Sequence, residues 1–284
     1  MDITKRHLLQ GLALAPFLAL GDAARALAQS QALNPQDRSY AAHMELMGAQ
    51  GLKMHGEEEI GMVLYPGFTA LDLVGPQYLF ASLMGAKVHL ITTEDTLDPV
   101  MSDTGLAIAP TLTLADAPKE LTISFVPGGT SGTAKAMQND ALLDLLRTQA
   151  SAGRTVSAVC TGTLVLGMAG LLKGKQATSH WITRPLLENF GATPVNARVV
   201  KDGQIVTGAG VTAGFDFGLA MVAGLRGDLY AKALQLQAEY APEPPFQSGT
   251  PEEAGDWLRS TLRDMSAVIL DEFETLSRTA GATG

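Results

Sequence analysis

From Ile60 onward, short apolar runs alternate with stretches of helical periodicity, and that alternation restricts the chain to few architectures. Ile60 to Tyr65 is an apolar run stopped by Pro66-Gly67, as expected of a strand buried on both faces and its exit turn. Leu71 to Met84 carries apolar residues at helical spacing. Lys87 to Thr92 and Leu121 to Val126 read as further strands, the second stopped by Pro127-Gly128-Gly129. Ala141 to Ala150 reads as a helix, Thr155 to Val159 as a strand, and Thr161 to Leu172 as a helix ending near Gly174. Val199 to Val206 reads as a β-hairpin turning at Asp202-Gly203. Thr212 to Leu225 and Leu229 to Tyr240 read as helices. Strands alternating with helices imply an α/β fold, a mostly parallel sheet with helices on both faces. With 284 residues, 46% of them hydrophobic, the chain can bury one sizeable core.

The flanks read differently. Lys5-Arg6-His7 precede a mostly apolar run from Leu8 to Leu20, and Ala26-Leu27-Ala28 follows in the small-residue pattern read by signal peptidase. The run is shorter than the roughly 20 residues that a membrane-spanning helix needs. Residues 1–28 are therefore expected to be an export signal peptide. Thr4 to Leu9 resembles a twin-arginine signal with Lys5 in the first basic place. The expectation is a mature start near Gln29, a periplasmic or otherwise exported protein, and no stable membrane insertion. Residues 29–58 read as a linker with one short helix near Tyr40 to Met47, and 59–249 as the α/β domain. Residues 250–284 read as a C-terminal helix and tail. Thr250 suits the N-cap of that helix, Pro251 its first position and Glu253 the capping-box place. Its apolar face (Trp257, Leu258, Leu262, Met265, Ile269, Leu270, Phe273) is placed to pack on the core or on a partner subunit, and the tail from Ala280 is expected to fray.

A formal net charge of -9 counts against nucleic acid as a partner, because binding phosphate needs a basic face. The single cysteine excludes an intrachain disulfide and a cysteine-cluster metal site. The histidines form no ligand pair of the His-x-x-x-His kind, so no metal is expected. In an exported chain a lone thiol is an oxidation liability. It is either inert and buried or retained for its chemistry.

That thiol, Cys160, lies where the strand Thr155 to Val159 runs into a helix opening with Thr161-Gly162-Thr163. Such a turn projects from the carboxyl end of a parallel sheet, resembles the elbow that presents serine in hydrolases, and faces a helix N-terminus that favours thiolate. The alternative is a small core residue. Gly128 and Gly129, after another strand, can turn backbone N–H groups toward developing negative charge. No G-x-x-x-x-G-K-[ST] is present, which disfavours a nucleotide. Asp72, just past the first strand between Leu71 and Leu73, is expected to be desolvated and raised toward a useful acid–base range, or else to cap a helix. His180, expected on the next strand beyond Cys160, could serve the thiol as a base or hydrogen-bond within the core.

Together these residues resemble the DJ-1/PfpI superfamily, and within it the isonitrile hydratase branch. The resemblance rests on Pro66 to Pro76, Val126-Pro127-Gly128-Gly129, Val159-Cys160-Thr161-Gly162, Thr178-Ser179-His180-Trp181, Thr207 to Asp216 and Glu239 to Phe246. It implies a flavodoxin-like sandwich, a homodimer, and a small-molecule substrate handled without metal or organic cofactor. It also implies Cys160 as nucleophile, Asp72 as acid–base carboxylate and Thr161 as a neighbour supporting catalysis. Peptidase-like members place histidine where Thr161 stands, and DJ-1-like members place glutamate where Asp72 stands; both departures weigh against those activities. The branch is typically cytosolic and lacks the C-terminal helix. The reaction implied is hydration of an isonitrile, or a similar small electrophile, to an N-substituted formamide. The other readings are a non-enzymatic periplasmic binding or redox-sensing protein, and a glyoxalase- or deglycase-like hydrolase.

Overall fold

The computed structural model describes residues 34–283. The expectation of a signal peptide at 1–28 lies outside the described residues. The chain divides into two units, Met1–Met54 and His55–Gly284. In the first, helix α1 (Pro35–Met47) begins where Asn34 accepts the Asp37 amide at 2.9 Å and Pro35 occupies the first turn. That cap moves its start well ahead of Tyr40, where the apolar residues alone put it.

In the second unit, β1 (Glu59–Leu64), α2 (Ala70–Ala81) and β2 (Lys87–Thr92) follow in order. Three two-residue strands, β3 (Val100–Met101), β4 (Ala107–Ile108) and β5 (Leu112–Thr113), lead to β6 (Ile123–Val126). Then come α3 (Ser131–Ala136), α4 (Asp140–Ser151), β7 (Thr155–Val159), α5 (Gly162–Met168) and β8 (Gln176–Ala177). A 3-10 segment (Arg184–Phe190) and β9 (Thr193–Pro194) precede the hairpin β10 (Val199–Asp202) and β11 (Ile205–Gly208). Helices α6 (Ala213–Arg226), α7 (Asp228–Gln237), α8 (Pro251–Met265) and α9 (Ala267–Thr283) complete the chain.

The main sheet runs β10-β11-β7-β6-β1-β2-β5. All its pairings are parallel except that of β10 with β11. Every residue of β6 is buried, as are all but the first of β1 and β7, so both faces are covered. One helical group (α2, α6, α7) packs on itself, and another (α3, α4, α5, α9) does likewise. This is the flavodoxin-like α/β sandwich expected, with C-terminal helices beyond it. The order also fixes where chemistry can occur. β11, β7, β6 and β1 lie side by side and parallel, so the loops that follow them emerge at one edge, the ligand side of such sheets.

Several elements differ from expectation for local reasons. The helix after Cys160 is one turn and a half shorter than the apolar pattern suggested, because the chain leaves it at Ala169 and turns through Gly170 at φ +76°. The single C-terminal helix is two, parted at Ser266, with a non-helical residue, Gly255, inside the first. Thr250 caps α8 by accepting the Glu253 amide at 3.2 Å, but its hydroxyl donates to the Glu253 carboxylate in place of a reciprocal capping box. Helix α9 extends to Thr283. Far from the sheet edge, fully buried Arg226 forms a two-point pair with Glu58 at 2.5 and 3.0 Å and donates to the Met84 carbonyl. Among the described residues, no helix is long and apolar enough to cross a membrane.

Candidate active site

Cys160 is the first residue after β7 and adopts φ +56°, a left-handed conformation that non-glycine residues hold only when their surroundings impose it. Its amide is shared between the carbonyls of Gly208 and Ala209 at 3.1 and 2.9 Å. Its carbonyl accepts the Ser179 hydroxyl at 2.8 Å, and that hydroxyl is within 2.9 Å of Thr183. β11 and the segment after β8 therefore grip the turn from both ends. Ser179 belongs to a motif visible in the sequence, but nothing local marks it as the clamp on a residue nineteen positions earlier.

Asp72, in the first turn of α2, is fully buried. Its Oδ2 accepts the Gly128 amide at 2.9 Å, while Oδ1 is buried without a well-formed hydrogen bond. A Cβ added to Gly128 would stand 2.6 Å from Asp72 Oδ2, 2.7 Å from Cys160 Cβ and 2.8 Å from the Thr161 amide. The carboxyl and the thiol thus close around one glycine, and only glycine fits there. Burial pushes the Asp72 carboxyl up to about 7, with the Cys160 thiol and the Gly128 amide partly opposing it. The direction is the one expected.

Three expectations need correction. First, helix α5 was expected to favour thiolate, yet burial and the adjacent Asp72 charge hold the Cys160 thiol well above its usual range. The Thr161 and Val211 amides do favour the thiolate, but one seven-residue helix cannot outweigh desolvation of a thiol only 5% exposed. Second, the Gly128 and Gly129 amides are not free to receive charge. Gly128 donates to Asp72, and Gly129 donates to the Thr161 hydroxyl at 2.8 Å. The amides that face sulfur are those of Thr161 and Val211, and Val211 had drawn no attention as a site residue. Third, His180 is on no strand; it lies just beyond the two-residue β8, outside the main sheet.

Thr161 has a positioning geometry. Its hydroxyl donates to the Gly129 carbonyl at 2.7 Å, accepts the Gly129 amide, and meets Thr133 at 3.0 Å. Thr133 in turn meets the buried Tyr65 hydroxyl at 3.0 Å, which donates to the Pro127 carbonyl at 2.7 Å. This chain of hydroxyls locks the Gly128-Gly129 loop against α5. His180 is held neutral: burial, aided by Arg184, lowers it to about 4. Its Nδ1 accepts the Ile182 amide at 3.4 Å, and among the described residues no hydrogen bond joins it to Cys160.

Cys160, Thr161, Thr130, His180 and Val211 open onto a cavity of about 440 Å³. A model of the DJ-1/PfpI family matches residues 58–224 of the chain. The chain belongs to the DJ-1/PfpI family.

Asp72, Gly128, Cys160, Thr161, His180 and Val211 all fall within the matched span, whereas α8 and α9 lie beyond it. Among curated relatives, the isonitrile hydratase of Pseudomonas putida is 49% identical over 212 residues, which are 75% of this chain and 91% of that protein. DJ-1alpha of Drosophila melanogaster is 33% identical over 175 residues, 60% of this chain and 79% of that one. Among solved structures, a ThiJ/PfpI family protein from Pseudomonas syringae superposes with a TM-score of 0.77 at 46% identity, covering 80% of this chain and 93% of the other. DJ-1beta of Drosophila melanogaster shares the DJ-1/PfpI fold at a TM-score of 0.61 and 24% identity, covering 66% of this chain and all of that one.

Proposed function

We propose that this DJ-1/PfpI enzyme hydrates an isonitrile to an N-substituted formamide, with Cys160 as nucleophile and Asp72 as acid–base. The observation that carries this reading is the buried Cys160–Asp72 pair closed around Gly128. Two acidic groups in contact, both raised by burial, hold one proton between them near neutrality. Similarity to a Pseudomonas putida isonitrile hydratase supports the reaction class.

The thiol proton passes to the Asp72 carboxylate as sulfur adds to the terminal carbon of the isonitrile. Asp72 delivers that proton to the same carbon, leaving a thioimidate and an ionised carboxylate. Water then adds to the carbon, giving one proton through Asp72 to nitrogen. Collapse of the adduct breaks the carbon–sulfur bond, returns the second water proton to the Cys160–Asp72 pair, and releases the formamide. The Thr161 and Val211 amides stabilise charge on sulfur in the first and last steps. No step requires a metal or an organic cofactor.

Purified protein with cyclohexyl isocyanide should yield N-cyclohexylformamide, and Cys160→Ala should abolish the product. Turnover surviving that substitution would remove Cys160 from the mechanism. Non-enzymatic redox sensing gains less support, because a sensor thiol is a thiolate at rest and burial opposes that here. A hydrolase acting on aldehyde adducts separates from the proposal by its turnover of methylglyoxal. The proposal includes export, resting on Lys5-Arg6 and Ala26-Leu27-Ala28, and a homodimer, resting on the family. N-terminal sequencing of protein from the producing cell and sedimentation velocity test those two parts.

A further inference from the structure

We infer that Tyr65 is a positioning residue for the reaction, acting on Asp72 through the Pro127–Gly128 peptide to strengthen the bond that holds the carboxylate. This rests on the acid–base reading above and adds a residue to that same site. The Tyr65 hydroxyl donates to the Pro127 carbonyl at 2.7 Å, and the Gly128 amide donates to Asp72 Oδ2 at 2.9 Å. That carbonyl and that amide are the two ends of one peptide group. Tyrosine and carboxyl are therefore joined by two hydrogen bonds and a single planar, conjugated unit. A donor on the carbonyl oxygen polarises the unit and makes its amide a stronger donor.

Packing alone does not call for this hydroxyl. Tyr65 is 2% exposed, and phenylalanine would fill the same space without a polar group to desolvate. The hydroxyl is instead spent on the segment after β6, at the Pro127 carbonyl and Thr133. Burial holds Tyr65 well above the usual tyrosine range, so it stays a donor throughout the neutral range. A Cβ on Gly162 would stand 2.4 Å from the same carbonyl oxygen, so the start of α5 closes over it and leaves water little room to replace the hydroxyl. The other titratable groups acting on Asp72 are Cys160, after β7, and Asp103, in the loop between β3 and β4. Asp103 accepts the Thr69 hydroxyl at 2.5 Å. Helix α6 meets this part of α2 with Gly214 and Phe215, which carry no charge.

Tyr65→Phe tests the link, and Tyr65→fluorotyrosine tests it in the opposite direction, since fluorine makes the hydroxyl a stronger donor. Difference infrared spectroscopy follows the protonated Asp72 carboxyl, its band identified by loss in Asp72→Asn, and needs no turnover. Removing the hydroxyl should raise the midpoint of that titration by about half a pH unit. Such a rise is expected where the amide loses roughly 10–30% of a bond to a charged group. The fluorinated side chain should lower the midpoint, and the acid limb of kcat/KM for cyclohexyl isocyanide should follow it in both variants. Thr133→Val removes the other partner of the hydroxyl and spares the bond to Pro127, so it should leave the midpoint in place. Fluorotyrosine keeps every native bond, and its midpoint decides the matter if Tyr65→Phe does not fold. A midpoint that stays in place, that moves the same way with both side chains, or that Thr133→Val moves equally, would overturn the inference. The expected midpoints with no isonitrile turned over by the native protein would uphold the link and overturn the reaction.

Discussion

The Gly128 amide donates to Asp72 Oδ2 at 2.9 Å, and so the loop after β6 fixes a carboxyl in the first turn of α2, the helix that follows β1. The bond leaves Oδ1 buried and without a well-formed partner beside the thiol. A carboxyl in this state is a poor structural element, since an unsatisfied buried oxygen costs stability, and a good proton carrier. β1 and β6 are neighbours in the sheet, and the chain runs outward from β1 to β2 before returning to β6. The pairing therefore spans the point where strand order reverses, the usual crevice of an open α/β sheet.

Replacing Asp72 with Asn keeps the shape and removes the proton carrier. kcat/KM for cyclohexyl isocyanide should fall by about 10²–10⁴-fold, the usual contribution of a positioned acid–base group. The thiol should move the other way. Loss of the neighbouring negative charge lowers the Cys160 pKa, so iodoacetamide should label the variant faster than the native protein at pH 8. Slower labelling alongside lost turnover would mean that the substitution had simply disordered the site.

Gly128→Ala tests the closeness of the pair. The new Cβ meets a carboxylate oxygen, a Cβ and a backbone nitrogen, all within 2.8 Å, and of these only the buried Asp72 oxygen, at the end of its side chain, can give way. Turnover should drop by more than about 100-fold, since small misplacements of reacting groups carry such costs. A crystal structure of the variant should show Asp72 displaced from Cys160. Full activity would show that the two need not touch.

Much of this geometry was legible in the sequence, for an identifiable reason. Strand ends in a parallel sheet are marked by punctuation, and Pro66-Gly67 and Pro127-Gly128-Gly129 announced the edge at which Asp72 and Cys160 meet. What escaped depends on contacts distant in sequence. Nothing local shows that the Gly128 amide is spent on a carboxyl 56 residues earlier, or that Ser179 clamps Cys160. Strands of two residues such as β8 are too short to carry a period, so His180 was expected on a strand that ends before it. The break at Ser266 and the placing of α9 over the thiol follow from packing on the 3-10 segment and α5, where an amphipathic pattern reads the same whichever partner it meets.

His180→Gln separates the two candidate bases. His180 remains neutral above about pH 4, so it contributes no titration near neutrality. The acid limb of kcat/KM should fall near pH 7, where Asp72 takes up a proton, and it should stay there in the variant. The rate itself should change by less than about tenfold, as for loss of a cavity-lining contact. A limb displaced by the substitution, or a rate loss beyond 100-fold, would transfer the proton-handling role to His180.

The raised Asp72 pKa also makes a stability prediction with a definite sign. Folding lifts this carboxyl from its ordinary 3.8 to about 7, so the native state binds the proton more tightly than the unfolded chain. Its favourable contribution is complete below about pH 4 and is lost as pH rises through about 7. Asn at this position stays neutral throughout, and other groups cancel in the comparison. Urea unfolding of native protein and Asp72→Asn should therefore diverge between pH 4 and pH 7, the variant gaining about 1.4 kcal/mol per pH unit and levelling off above. A stability difference independent of pH would mean that Asp72 ionises as freely in the fold as outside it, and the shared proton on which the mechanism depends would be gone.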